Sequence, residues 1–113
     1  MTGDQKGGRP FDILWSDRAK FDLGEIGDYI SADSPIAAKR WINRLISDVE
    51  RAAEMPFSGR LVPEFTDRDD IRKVLRRTYR IVYAVGDNTI NVLTIFEGHR
   101  LFPLDVVPKS ESS

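Results

Sequence analysis

The sequence predicts an α+β domain in which a first strand is followed by an antiparallel helical hairpin packed on a mainly antiparallel β-sheet. Three observations carry this. Apolar residues recur at helical spacing over two consecutive stretches separated by only two or three residues. Strand-type residues dominate three short runs between Arg72 and Phe96, and another short apolar run, Phe11 to Trp15, precedes the helices. With 113 residues and 41% hydrophobic content the chain has enough material for one core and too little for two. The expected organisation is a flexible tail over 1–9, a single domain over 10–104 and a second flexible tail over 105–113.

Phe11 to Trp15 (FDILW), bounded by Pro10 and Ser16-Asp17, reads as a strand whose hydrophobicity suggests a central place in the sheet. Ser16 then caps a helix, since its hydroxyl can accept from a free backbone N–H, and Asp17 suits the positive end of the helix dipole. Ala19, Leu23, Ile26 and Ile30 make its apolar face, ending near Ala32, with Asp22, Glu25 and Asp28 turned to water. Gly24 and Gly27 weaken this helix, which therefore depends on packing. Ser34-Pro35 starts the second helix, because serine caps and proline at the first helical position has no N–H to satisfy. Ala38, Trp41, Ile42, Leu45, Val49 and Ala52 form its stripe up to Met55-Pro56, where proline stops it. Trp15 and Trp41, lying within apolar patterns, are expected in the core.

Residues 56–70 (PFSGRLVPEFTDRDD) follow neither period and read as a long loop with a brief extended piece at Arg60 to Val62. Loops of this length in compact domains are often functional, which makes Glu64 a candidate. Arg72 to Arg77, Tyr79 to Val85 and Ile90 to Phe96 are three strands of two adjacent hairpins, the second turning at residues 86–88.

Composition excludes several function classes. There is no cysteine and one histidine, so neither a disulfide framework nor a structural zinc centre can be built, and no cofactor is expected. No stretch approaches the ~20 apolar residues of a membrane span, so no membrane contact and a cytoplasmic location are expected. Net charge is −1, too little to draw the whole molecule onto a polyanion. The charge is unevenly spread, however. Arg72, Lys73, Arg76, Arg77 and Arg80 fall between Ile71 and Tyr83 with no acidic residue among them, suggesting a local docking surface.

Strand alternation places Tyr79, Ile81, Tyr83 and Val85 on one face and Arg80, Val82 and Ala84 on the other. A two-residue turn at Asp87-Asn88 would pair Val85 with Ile90, Ile81 with Thr94 and Arg80 with Ile95. The face under the helices then holds Tyr79, Ile81, Tyr83, Ile90, Val92 and Phe96. The opposite face holds Arg80, Asn91, Glu97 and, with the chain extended, His99. On that register Arg80 can pair with Glu97 across the ladder as a purely structural contact, and a slip of one residue would undo the arrangement.

The order of elements, with Trp15-Ser16-Asp17-Arg18-Ala19 entering the first helix, Asp28-Tyr29-Ile30 closing it, Pro56-Phe57-Ser58-Gly59-Arg60 after the second, YRIVY at Tyr79 to Tyr83 and GHRLFP at Gly98 to Pro103, resembles the RelE/ParE superfamily of type II toxins. The resemblance covers Phe11 to Pro103. It implies a curved sheet carrying the helical hairpin, and a small bacterial toxin neutralised by a cognate antitoxin that contacts operator DNA on its behalf. The ParE-like branch, which the fragments around the first helix and GHRLFP favour, implies poisoning of DNA gyrase without catalysis, with Arg72, Arg76, Arg80, His99 and Arg100 as target-binding groups. The RelE-like branch implies ribosome-dependent cleavage of mRNA. There Glu64 or His99 would serve as general base and acid, and Arg80 with Arg100 would face the developing phosphorane charge. Such ribonucleases often carry a functional tyrosine near the C-terminus, and this chain has none after Tyr83. A third reading is a non-toxic member that binds its antitoxin and autoregulates transcription.

Overall fold

The computed structural model describes residues 9–98. Within them the order is β1 (Asp12–Trp15), α1 (Asp17–Ser31), α2 (Pro35–Glu54), β2 (Arg60–Leu61), β3 (Ile71–Arg76), β4 (Tyr79–Val85) and β5 (Thr89–Glu97), with single 3-10 turns at Pro56–Ser58 and Pro63–Phe65. Of the expected tails over 1–9 and 105–113, residues 1–8 and 105–113 lie outside the described residues.

Both helix starts follow from their serines. The Ser16 side chain accepts from the Ala19 N–H at 3.0 Å, and the Ser34 side chain from the Ala37 N–H at 3.2 Å, each satisfying an orphan donor of the first turn. Gly24 stands mid-helix in α1 with open space where a Cβ would be. A Gly24→Ala variant is therefore expected to be more stable by about 0.5–1 kcal/mol, through reduced backbone entropy of the unfolded chain, read from denaturant midpoints at constant m-value.

Among the described residues the strands form one sheet in the order β1-β5-β4-β3-β2. Every pairing is antiparallel except β1 with β5, where Ile13 lies beside Ile90 and Trp15 beside Val92. β1 is thus an edge strand, not the central one its hydrophobicity suggested. The reason is in its alternation: Phe11, Ile13 and Trp15 pack on the core, while Asp12 and Leu14 are exposed.

β5 runs past the end of β1, and there α1 closes its open edge. Ser16 Oγ donates to the Leu93 carbonyl at 3.1 Å, while the Asp22 carboxylate accepts from the Ile95 N–H at 3.1 Å and from Thr94 Oγ1 at 2.5 Å. Arg18 holds Asp22 at 3.0 Å. Asp22, expected in water, is instead turned inward, because it is a side-chain substitute for the missing neighbouring strand.

The β4–β5 hairpin corrects the expected register. Val85 pairs with Ile90 and Tyr83 with Val92, as anticipated, but Val82 pairs with Thr94, leaving Leu93 as an extra residue in a bulge. Beyond it every partner moves by one: Ile81 faces Ile95, Arg80 faces Phe96 and Tyr79 faces Glu97. Ile95 takes the place expected for Phe96 beneath the helices, and Phe96 turns to the opposite face. The helix-side core contains Ala19, Leu45, Val49, Ala52, Ile81, Tyr83, Ile90, Val92 and Ile95. Trp15 packs against it from the side, and Trp41 makes an edge-to-face contact with Tyr79 at 5.7 Å, so both tryptophans are half-buried.

Candidate functional site

The sheet face away from the helices is where the sequence placed target contact, and its composition follows from the register. Ile71, Lys73 and Leu75 of β3 stand opposite Ala84, Val82 and Arg80 of β4, while Arg72, Val74 and Arg76 stand opposite Tyr83, Ile81 and Tyr79 on the helix side. The basic strip therefore divides between two faces. Arg77 belongs to neither, for β3 ends at Arg76 and Arg77 is the first residue of a two-residue turn, with φ 57°. Hairpin turns whose twist matches the strands require a positive φ there.

The floor of the open face is a second apolar cluster made of Val62, Ile71, Val82, Leu93 and Phe96, with Phe65 and Ala84 packed against it. Val62 and Phe65 come from the loop after β2 and cover the Ile71 end of the face. Glu64, carried between them on the Pro63–Phe65 turn, is exposed at that end. Arg80 lies at the other end of β4. The four residues from Ala84 to Arg80 span ~13 Å at strand rise, so Glu64 and Arg80 are not brought together. Arg80 and Glu97 are on opposite faces, and the ion pair expected between them does not form, because the bulge at Leu93 turned Glu97 toward α1. His99 and Arg100 lie outside the described residues.

Two of the proposed docking arginines are engaged within the fold. Arg72 donates to the carbonyls of Asp69, Phe57 and Gly59 at 2.8, 3.0 and 3.0 Å, with its guanidinium over the Phe57 ring at 5.1 Å. Arg76 meets Asp48 of α2 in a two-point contact, Nε to Oδ2 and Nη2 to Oδ1, both 2.8 Å. Hydrogen bonding to Asp48, then its charge, pushes the Arg76 pKa above its ordinary value. Asp48 was not foreseen. Its signal was available: a carboxylate inside the Leu45, Val49, Ala52 stripe has to be buried, and a buried carboxylate needs a cation.

The Pro56-Phe57-Ser58-Gly59-Arg60 segment is explained by the same neighbourhood. Tyr83 Oη donates to the Pro56 carbonyl at 2.7 Å from a fully buried ring. Burial pushes the Tyr83 phenol up from its ordinary value near 10, against smaller opposing pulls from the Gly59 backbone and the Arg72 charge. A phenol with a raised folded-state pKa stabilises the fold fully below the unfolded value, and that contribution is lost as pH rises through the folded value. Chemical denaturation followed upward from pH 9 is expected to show this loss, and a Tyr83→Phe variant to lack that part of it. Farther along the loop, Arg68 grips Asp70 at 2.9 and 3.0 Å and holds its carboxyl below the usual range, and the Asp70 carbonyl accepts from the Val85 N–H at 2.8 Å.

On the helix side, a groove beside α1 is lined by Arg18, Phe21, Glu25, Ile26, Tyr29 and Glu97 among others. Phe21 and Tyr29 are 63% and 79% exposed, an unusual degree for aromatic residues on a hairpin.

Known proteins share this fold. Residues 13–102 match the family model described as the ParE toxin of the type II toxin–antitoxin system parDE. The chain belongs to the RelE/ParE superfamily of type II toxins. Toxin RelE2 of Caulobacter vibrioides is 37% identical over 89 residues, which is 79% of this chain and 97% of that protein. The chromosomal ParDE toxin–antitoxin system of P. aeruginosa contains a chain of the same fold, with a TM-score of 0.63 and 21% identity over 77% of this chain and 95% of that one. The RelBE2 toxin–antitoxin complex of Mycobacterium tuberculosis contains another, with a TM-score of 0.57 and 18% identity over 78% and 91%. This RelE/ParE chain thus has relatives named for both branches. No helix among its described residues is long and apolar enough to cross a membrane.

Proposed function

We propose that this toxin acts in the ParE-like manner, arresting growth by poisoning DNA gyrase through protein contact, and that a cognate antitoxin neutralises it. The observation that carries this reading is the apolar floor of the open sheet face. Cleavage of RNA by attack of a 2′-OH requires a base, a cation and an acid converging on one phosphate. Among the described residues, Val62, Phe65, Ile71, Val82, Leu93 and Phe96 make the floor of that face, Lys73 and Arg80 are its cations, and Glu64 is held at the far end from Arg80. The near-zero net charge points the same way, since docking on ribosomal RNA favours a marked basic excess. His99 and Arg100 are then contact residues of the target surface and not proton-transfer groups. The antitoxin covers the groove of Phe21, Ile26 and Tyr29 with an apolar segment, and any operator contact runs through the antitoxin.

The ribonuclease reading is favoured by the name of the relative RelE2, and one pair of assays separates the two. The purified free toxin is expected to inhibit gyrase supercoiling and to leave ribosome-bound mRNA intact. Cleavage of that mRNA without inhibition of gyrase, and lost on His99→Ala or Arg80→Ala substitution, would establish the opposite.

A further inference from the structure

The arginines discussed so far that serve the fold all have partners: Arg18 with Asp22, Arg51 and Arg76 with Asp48, Arg68 with Asp70, and Arg72 with three carbonyls. Arg60, Lys73, Arg77 and Arg80 are different. Among the described residues none of these four makes an ion pair or a side-chain hydrogen bond. They are also neighbours. Arg60 stands directly opposite Lys73, Leu75 lies two residues beyond Lys73 and directly opposite Arg80, and Arg77 follows in the turn. Leu75 is 44% exposed, so a leucine on the open face stands next to Lys73 and Arg80, with Arg77 two residues on in the adjoining turn.

Two of these placements work against the fold. Like charges directly opposite in an antiparallel pair repel each other, as Arg60 and Lys73 do. Arg77, at φ 57°, occupies a conformation that glycine or asparagine adopts at lower cost. Local choices that oppose stability without a structural return concentrate at functional sites.

We propose that Lys73, Leu75, Arg77 and Arg80, with Arg60 at the rim, are the docking surface for an acidic segment of the protein target, whose carboxylates meet the cations and whose apolar side chain covers Leu75. The proposal rests on the gyrase reading only for the identity of that target. Charge complementarity sets the sign of the partner, and the exposed leucine at its centre selects a peptide over a nucleic acid. A single strand would instead need an aromatic face for its bases. Phe96, the aromatic beside Arg80, is 8% exposed and has none to offer.

The test uses the full chain, an Arg77→Asn variant and a Lys73→Glu/Arg80→Glu variant, with two labelled probes: a synthetic peptide rich in glutamate and leucine, and a single-stranded oligoribonucleotide of equal length. Arg77→Asn is expected to melt at or above the parent temperature while growth arrest on expression weakens ~10-fold or more, a combination a structural role cannot produce. The parent is expected to bind the peptide in a salt-dependent way, the charge-reversed variant not to bind it, and neither to bind the oligoribonucleotide. Parental toxicity in Arg77→Asn would overturn the proposal, as would a parent that binds the oligoribonucleotide and not the peptide. A parent that fails to inhibit gyrase removes the gyrase reading alone, because growth arrest and peptide binding still decide the surface.

Discussion

Replacing Arg76 by alanine is expected to destabilise the domain by about 3 kcal/mol, at the low end of the range for breaking a buried ion pair. The loss comes from Asp48, whose side chain is 3% exposed and would be left in the core with its two best hydrogen bonds gone. Arg76 itself is 33% exposed, and Arg51 already touches Asp48 Oδ1 at 3.4 Å, so water and a second cation soften the effect. Arg51→Ala should cost under about 1 kcal/mol, because that guanidinium is mostly solvated. The double variant Asp48→Leu/Arg76→Met is expected to recover most of the loss, since it leaves no buried charge behind. At ~3 kcal/mol the Arg76→Ala melting temperature should fall roughly 10–20 °C, readable by calorimetry. A fall of only a few degrees would mean that the pair is a surface contact and that Arg76 is free for docking, as its place in the basic strip first suggested.

How far the sequence exposes this molecule depends on the range of the interaction concerned. Helix starts were legible because a serine cap and a proline at the first helical position act within three residues, and both caps are found where the sequence places them. The hairpin turn at Asp87-Asn88 was legible for the same reason. The bulge at Leu93 was not. Both faces of β5 are apolar, so Val92, Leu93, Ile95 and Phe96 satisfy either alternation, and a period of two cannot choose between them. That single extra residue moved Phe96 and Glu97 across the sheet and dissolved the expected Arg80–Glu97 pair. The basic strip failed for a different reason: a sequence shows charges but not what they reach. Arg72 bonds to carbonyls 13 and 15 residues earlier, and Arg76 to a carboxylate 28 residues earlier. What survives as candidate surface is the part of the strip with no such partner.

Gly59→Ala is the second substitution with a large expected effect, and it isolates why the loop after α2 has the sequence it has. A Cβ at position 59 would lie 2.5 Å from Tyr83 Oη and 3.1 Å from both the Lys73 carbonyl and Arg72 Cβ. The carbonyl is part of β3, and the phenol is the end of a rigid, fully buried ring fixed by its bond to the Pro56 carbonyl, so neither moves away cheaply. Overpacking of this kind costs about 1–3 kcal/mol, and displacement of Tyr83 adds the loss of its hydrogen bond, about 1 kcal/mol more. Tyr83→Phe alone should cost about 1–2 kcal/mol, because it leaves the Pro56 carbonyl without its donor. The decisive measurement is the double variant. Removing the hydroxyl removes the atom that the new methyl would strike, so Gly59→Ala/Tyr83→Phe should be more stable than the sum of the single losses by about 1 kcal/mol or more. Strict additivity would show that the clash with the β3 backbone, and not with Tyr83, sets the requirement for glycine. Coupling of the expected sign would show that Gly59 exists to admit the tyrosine hydroxyl, and through it to pin residues 56–59 against β3 and β4. That anchoring holds the Phe57 and Gly59 carbonyls where Arg72 reaches them, so that Arg72 serves the fold while Lys73, its neighbour on the other face, keeps no such partner among the described residues.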